Sequence, residues 1–296
     1  MDSTEKSIIL TSQALDGQEL RAVFLPEKGM NCISFKKGEL EVIDQSTVSL
    51  FEERFAGLGA LIGPHFHRRK TEVLPKIENE SLFPHIARVK AKGVADPFSH
   101  GIARYAPWQA EATQTKIKAA ISGKDMWNGV SLSSLEGQNF KMNFNVELTP
   151  KGLVLELDVV SDTDSLVGIH YYYHLPKNRG KVISSVQAFY VDQGEKKPVN
   201  SAWIEDGKPM LSFDLQENEA DYTFFPYPDP LNGKIILDAE TYKLVTSYSC
   251  KSQENSWQLY HPKGASFVCI EPLSSQDPRH PNLSVSSLRI ALEIQN

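Results

Sequence analysis

Apolar and polar residues alternate along much of the chain. Phe140, Met142, Phe144, Val146 and Leu148 are separated by mostly polar residues, and Leu153, Leu155, Leu157 and Val159 repeat the pattern after Pro150-Lys151-Gly152. Successive side chains of a strand point to opposite faces, so these two runs predict a β-hairpin with one buried face. Leu288, Ile290, Leu292 and Ile294 alternate again. Shorter strands are expected at 8–10, 20–25, 33–35, 40–43, 117–121 and 182–191, and at 235–237, 243–248, 257–260 and 267–270. Asp16-Gly17, Asn128-Gly129, Asp206-Gly207 and Asn232-Gly233 provide the positive φ values of tight turns.

Helical spacing is confined to 49–56, while 68–96 and the proline-rich 225–230 read as long loops. Strands without intervening long helices argue against Rossmann and TIM architectures. About fifteen short strands point instead to an all-β fold, a large antiparallel sandwich or barrel. Strand patterns of the same type continue on both sides of each loop, so one domain is expected over residues 1–296.

Composition narrows the function classes. Of the 296 residues, 41% are apolar and 23% charged, enough apolar surface to offset chain entropy. The net charge of −6 and the lack of a long Lys/Arg block disfavour nucleic acid as a partner. No apolar run approaches the ~18 residues of a membrane span, and Met1-Asp2-Ser3-Thr4-Glu5-Lys6 does not resemble a signal peptide. A cytoplasmic protein with no membrane partner is expected. Cys32, Cys250 and Cys269 are far apart and lack metal-knuckle spacing, which suggests reduced thiols.

Four segments hold candidate chemistry. In 168–176, His170, Tyr172 and His174 would share one strand face and Tyr171 and Tyr173 the other. Two imidazoles and a phenol suit the floor of a cleft for a hydroxyl-rich ligand, or a pair of satisfied structural histidines. In 267–272 an apolar run ends at Glu271 before Pro272. A carboxylate there is partly desolvated, which raises its pKa toward useful base strength, unless it only pairs with an arginine at a sheet edge. In 99–108, His100-Gly101 admits either a ligand contact or a loop role, whereas Arg104 and Trp108 read as packing residues. Finally, His65, His67 and Glu72 have the spacing of a metal-binding strand. They resemble a cupin motif that lacks its usual glycine and its second half.

Taken in order, His100-Gly101-Ile102-Ala103-Arg104 with Trp108, His170-Tyr171-Tyr172-Tyr173-His174-Leu175 and Cys269-Ile270-Glu271-Pro272 resemble the motifs of the aldose 1-epimerase (galactose mutarotase-like) superfamily. Their form is closest to its broad bacterial and hexose-6-phosphate branches. The resemblance covers nearly the whole chain. It implies a large antiparallel β-sandwich with an open groove on one sheet. It also implies interconversion of the α and β anomers of a hexose or hexose 6-phosphate, without metal or cofactor. His170 would protonate the ring oxygen as general acid, and Glu271 would take the proton of the anomeric hydroxyl as general base. His100, Tyr172, Arg68 and Asp221 would bind the sugar. Arg69 and Arg88 compete with Arg68 for the arginine role, and Asp214 competes with Asp221.

Ring opening needs one group to give a proton while another takes one, and such help is worth roughly 10²–10⁴-fold. The sequence has no P-loop, dinucleotide fingerprint or serine elbow, which agrees with that chemistry. The chain departs from the family at His174, where asparagine is usual, and at Ser284-Val285-Ser286-Ser287, where a Pro-Gly turn is usual. Arg68, Arg69 and Lys70 form either a cationic pocket for a sugar phosphate or a solvated basic loop. A small sugar or sugar phosphate is the expected partner, for a monomer or homodimer. The alternatives are a non-catalytic carbohydrate-binding protein on the same fold and a cupin-like metalloenzyme using His65, His67 and Glu72.

Overall fold

The computed structural model describes residues 6–204 and 210–295, so the Asp206-Gly207 turn lies outside the described residues. The alternating runs form two large antiparallel sheets of eleven and nine strands. The long hairpin sits in the nine-stranded sheet. Phe140–Thr149 pairs with Gly152–Ser161 along its whole length, from Phe140 opposite Ser161 to Thr149 opposite Gly152. Its apolar positions are buried and its polar positions face outward or are half-buried, as the period of two requires.

The eleven-stranded sheet holds the groove. Its central strands run in the order Gly59–Ile62, Gly168–His174, Phe267–Leu273, Ser256–His261, Ala220–Phe224 and Phe189–Asp192. One face packs on the second sheet, where Phe24 meets Phe144 edge-on at 6.1 Å between ring centroids. Tyr171, Tyr173, Trp257 and Phe224 are fully buried in that core. The interposed residues His170, Tyr172, Gln258 and Thr223 therefore face the other way. No helix among the described residues is long and apolar enough to cross a membrane.

Two elements differ from the sequence reading. The expected strand 182–191 is two strands, Lys181–Ser185 in the nine-stranded sheet and Phe189–Asp192 in the eleven-stranded sheet. Between them Val186 bridges Pro226, and the Gln187 N–H donates to the Phe225 carbonyl at 3.0 Å. Alternation continues through this crossover, so hydropathy does not mark it. The expected loop 68–96 contains the helix Pro84–Ala91, which begins with proline in its first turn and buries His85, Ile86 and Val89. The expected helix at 49–56 forms as Val48–Arg54 and ends at Phe55 in the left-handed region. The ends of these two helices contribute Arg54 and Val89 to one wall of the groove.

Candidate active site

Strand register assembles the floor of the groove. Gly168 lies opposite Leu273 and Tyr172 opposite Cys269. The same register holds between them, which sets His170 opposite Glu271. On the next strand Gln258 lies opposite Glu271 and Tyr260 opposite Cys269; beyond it, Thr223 lies opposite Gln258 and Asp221 opposite Tyr260. Residues directly opposite one another share a face. A polar surface of imidazole, carboxylate, amide and phenol therefore crosses four strands and lines a cavity of about 220 Å³.

His170 Nε2 lies 3.3 Å from Glu271 Oε1, with side-chain exposures of 9% and 1%. Each partner keeps one buried atom without a hydrogen bond, His170 Nδ1 and Glu271 Oε2. Burial pushes the Glu271 carboxyl well above its ordinary pKa; Asp221 adds to the shift and the Arg104 cation opposes it. Burial, reinforced by Arg104, holds the His170 imidazole well below its ordinary value. The low-dielectric site thus favours the uncharged forms of both groups. Tyr172 stacks on His170 at 4.9 Å and 13°, which fixes the plane of the imidazole.

A second layer comes from two loops crossing the sheet. His100 packs edge-on against His170 at 5.2 Å. Its backbone is left-handed, with φ 69°, and Gly101 follows with φ 89°. A Cβ on Gly101 would fall 1.9 Å from the Gly63 carbonyl oxygen, so only glycine fits there. The His67 N–H donates to His100 Nδ1 at 3.2 Å, and the His100 N–H donates back to the His67 carbonyl at 2.7 Å.

A buried ion cluster anchors these loops. Arg69 forks onto Asp96, with Nε–Oδ2 and Nη2–Oδ1 both 3.0 Å, and its backbone N–H donates to Asp96 Oδ2 at 2.8 Å. His65 Nδ1 lies 2.5 Å from Glu136 Oε1, and the other Glu136 oxygen accepts from the Ile102 N–H at 2.9 Å. Burial acts to raise the Asp96 pKa, but the neighbouring His65, 3.6 Å away, and the hydrogen-bonded Arg69 cation overcome it and hold Asp96 ionised.

The expected site residues divide cleanly. His170, Glu271, His100, Tyr172, Asp221 and Arg68 all line the one groove. Asp221 accepts from Gln258 Nε2 at 2.7 Å. Asp214 lies instead on the edge strand Met210–Asp214 of the other sheet. Arg69 is committed to Asp96, and Arg88 donates from its helix to the Glu53 carbonyl at 2.6 Å. His174 pairs with Asp44 at 3.2 Å. The cupin-like set does not assemble: His65 is tied to Glu136, His67 lines the groove, and Glu72 is exposed. Among the described residues, the potential metal ligands that do converge are His170, Cys269 and Glu271, with ligand atoms within 4.8 Å of one another. An ion there would occupy the lone pairs that proton transfer needs.

Trp108 is a packing residue, as expected; its indole N–H donates to the Ala103 carbonyl at 2.9 Å. Arg104 is 3% exposed, and it also lines the groove and keeps Nε and Nη2 without a hydrogen-bond partner. A buried guanidinium with unused donors is a ready contact for sugar oxygens or an anion. Gln258, Tyr260, Arg279, Arg54 and Lys92 also line the groove without having been singled out. Alternation within Ser256–His261 was a usable signal for the first two, since it sets Gln258 and Tyr260 on one face.

No family model and no curated protein matches the chain. Solved structures do. A GalM/aldose epimerase homologue from C. elegans superposes with a TM-score of 0.66 at 14% identity, over 98% of this chain and 100% of that one. A galactose mutarotase-like protein from Clostridium acetobutylicum gives 0.64 at 14% identity over 98% of both chains. Another, from Lactobacillus casei ATCC 334, gives 0.66 at 11% identity over 98% of this chain and 100% of its own. The chain therefore has the galactose mutarotase-like β-sandwich fold.

Proposed function

We propose that this protein is a mutarotase that interconverts the α and β anomers of a hexose or a hexose 6-phosphate. The observation that carries this reading is the His170–Glu271 pair, 3.3 Å apart and buried on the floor of a groove the size of one sugar ring. Burial favours the uncharged carboxyl of Glu271 over its carboxylate and the neutral imidazole of His170 over its imidazolium. A bound anomeric hydroxyl donating to Glu271, with Arg104 favouring the carboxylate, draws the proton to His170. His170 then protonates the ring oxygen while Glu271 takes the hydroxyl proton. The ring opens to the aldehyde, the C1–C2 bond rotates, and the reverse transfers close the other anomer.

Tyr172 and His100 orient the imidazole, and Asp221, Gln258 and Arg68 offer hydrogen bonds to the remaining hydroxyls. Arg54 and Arg104 line the groove and bring positive charge that suits a phosphate or another anionic substituent, whereas Lys92 is ion-paired with Glu53. Anomer exchange followed by NMR near pH 7 tests the reading, with glucose, galactose and glucose 6-phosphate as substrates. Acceleration by the wild type that is lost in His170→Asn and Glu271→Gln supports it. Saturable sugar binding without acceleration makes the protein a binder on the same fold.

A further inference from the structure

The groove does not end at the acid–base pair. A second cavity of about 310 Å³ shares Phe66, Asp221, Gln258 and Arg279 with the first, so the two lie side by side. From the strand of His170 to that of Phe189 is four inter-strand steps, about 19 Å at the usual spacing. One hexose ring does not span that distance.

The lining of the second cavity is also different. Phe66 and Phe189 supply apolar ring surface, and the nearly buried Phe225 packs against Phe189 at 5.1 Å. Gln193, Thr223 and Gln276 supply amide and hydroxyl groups. Two acids, Asp221 and Asp277, balance two cations, Lys196 and Arg279. Lys196 Nζ stands 3.4 Å from the Phe189 ring centroid and covers one face, so only the other face of that ring can meet a sugar. Flat aromatic surface, neutral polar groups and balanced charge fit an uncharged sugar ring better than a phosphate.

We propose that this cavity is a second sugar subsite, and that the preferred substrate is a reducing disaccharide or oligosaccharide. The inference rests on the mutarotase reading. Glu271 must reach a free anomeric hydroxyl, so the second ring is attached through another hydroxyl of the reacting hexose. The substrate is thus a sugar with a free reducing end and not a glycoside. Such a sugar is released by hydrolysis or phosphorolysis of a longer glycan.

The test compares glucose with eight reducing disaccharides that cover the linkages: kojibiose, sophorose, nigerose, laminaribiose, maltose, cellobiose, isomaltose and gentiobiose. Anomer exchange gives kcat/KM, and saturation-transfer NMR shows which ring touches the protein. At least one disaccharide is expected to exceed glucose in kcat/KM, by up to about tenfold for one stacked ring. Saturation should reach both of its rings. Phe189→Ala should return the disaccharide-to-glucose ratio to near one and remove saturation of the non-reducing ring. Gln276→Ala, on an exposed loop, tests the same subsite if the first variant does not fold. Saturation confined to the reducing ring, no disaccharide above glucose, or a ratio unchanged by the variants overturns the subsite. If no sugar is accelerated at all, the mutarotase reading fails, and the saturation pattern alone decides whether the second ring is bound.

Discussion

Glu271 Oε1 sits 3.3 Å from His170 Nε2 because the two residues face each other across neighbouring antiparallel strands. Both are carried on the sheet itself, and the opposite face of that sheet is a packed core of Tyr171, Tyr173 and Ile270. Rigid strands hold a reacting pair more precisely than loops can. In the proposed reaction a proton passes between the two, which would make them one unit.

Residues that act as one unit lose activity together. Glu271→Gln and His170→Asn should each lower anomer exchange by roughly 10²–10⁴-fold. The double variant should be little worse than either single one. Exchange rates from NMR on the three proteins check this. Losses that multiply would show two groups acting independently.

Arg104 should tune the imidazoles. Its buried cation depresses His170 and His100 after burial itself has done so, and it opposes the upward shift of Glu271. Arg104→Met keeps the volume and removes the charge. Both imidazole pKa values should then rise toward their ordinary value, and Glu271 should rise further. NMR titration of the histidine ring protons measures the first effect. Unmoved titrations would place the guanidinium too far away to matter.

Much of this site was legible from the period of two along its strands. Strand geometry alone sets His170 and Tyr172 on one face, and Glu271 at the end of its apolar run faces the same side. The same parity does not tell sheets apart. Asp214 and Asp221 lie on similar short strands, yet only Asp221 reaches the groove, because the chain changes sheets between Asp214 and Ala220. Arg104 was read as packing because no pattern shows whether a buried guanidinium is satisfied. Its spacing from His100, one turn of the 3₁₀ helix Ile102–Arg104 after Gly101, was the available hint. The helix Pro84–Ala91 was hidden among charged residues, with only three buried positions to mark it.

Gly101→Ala should damage the site through the backbone. The new methyl group would meet the Gly63 carbonyl oxygen at 1.9 Å, in a residue whose φ of 89° already disfavours any side chain. Strain of about 1–3 kcal/mol for the dihedral alone adds to the clash. A fall in Tm and a weakened His100–His170 contact are expected, read by thermal unfolding and by sugar affinity. Wild-type values for both would mean that the loop relaxes freely.

Asp96→Asn tests the anchor beneath the groove. The substitution leaves the half-buried Arg69 cation without its bidentate partner and weakens the hold on the 64–70 loop. Breaking a buried ion pair from one side costs about 3–5 kcal/mol. Urea unfolding should show a loss of that order. A loss below about 1 kcal/mol would mean that Glu136 and water replace the aspartate.

His85 gives the protein an acid-sensitive core away from the reacting pair. It is 2% exposed and packed among Phe55, Phe98, Tyr105 and Trp127, stacking on Tyr105 at 5.1 Å. Burial, with help from the Arg88 cation, pushes its pKa down to about 4, against a hydrogen bond to the Pro97 backbone. In the unfolded chain an imidazole binds its proton near pH 6.5. Between these values the unfolded state holds a proton that the folded state refuses, so stability rises with pH. The contribution is complete above about pH 6.5 and is lost as pH falls toward 4. His85→Phe keeps a flat ring in the aromatic box and removes the titration. Between pH 7.5 and 4.5 the wild type should therefore lose about 2–3 kcal/mol more than the variant, measured by urea unfolding at both pH values. Equal losses would mean that the imidazole takes up its proton without leaving the box.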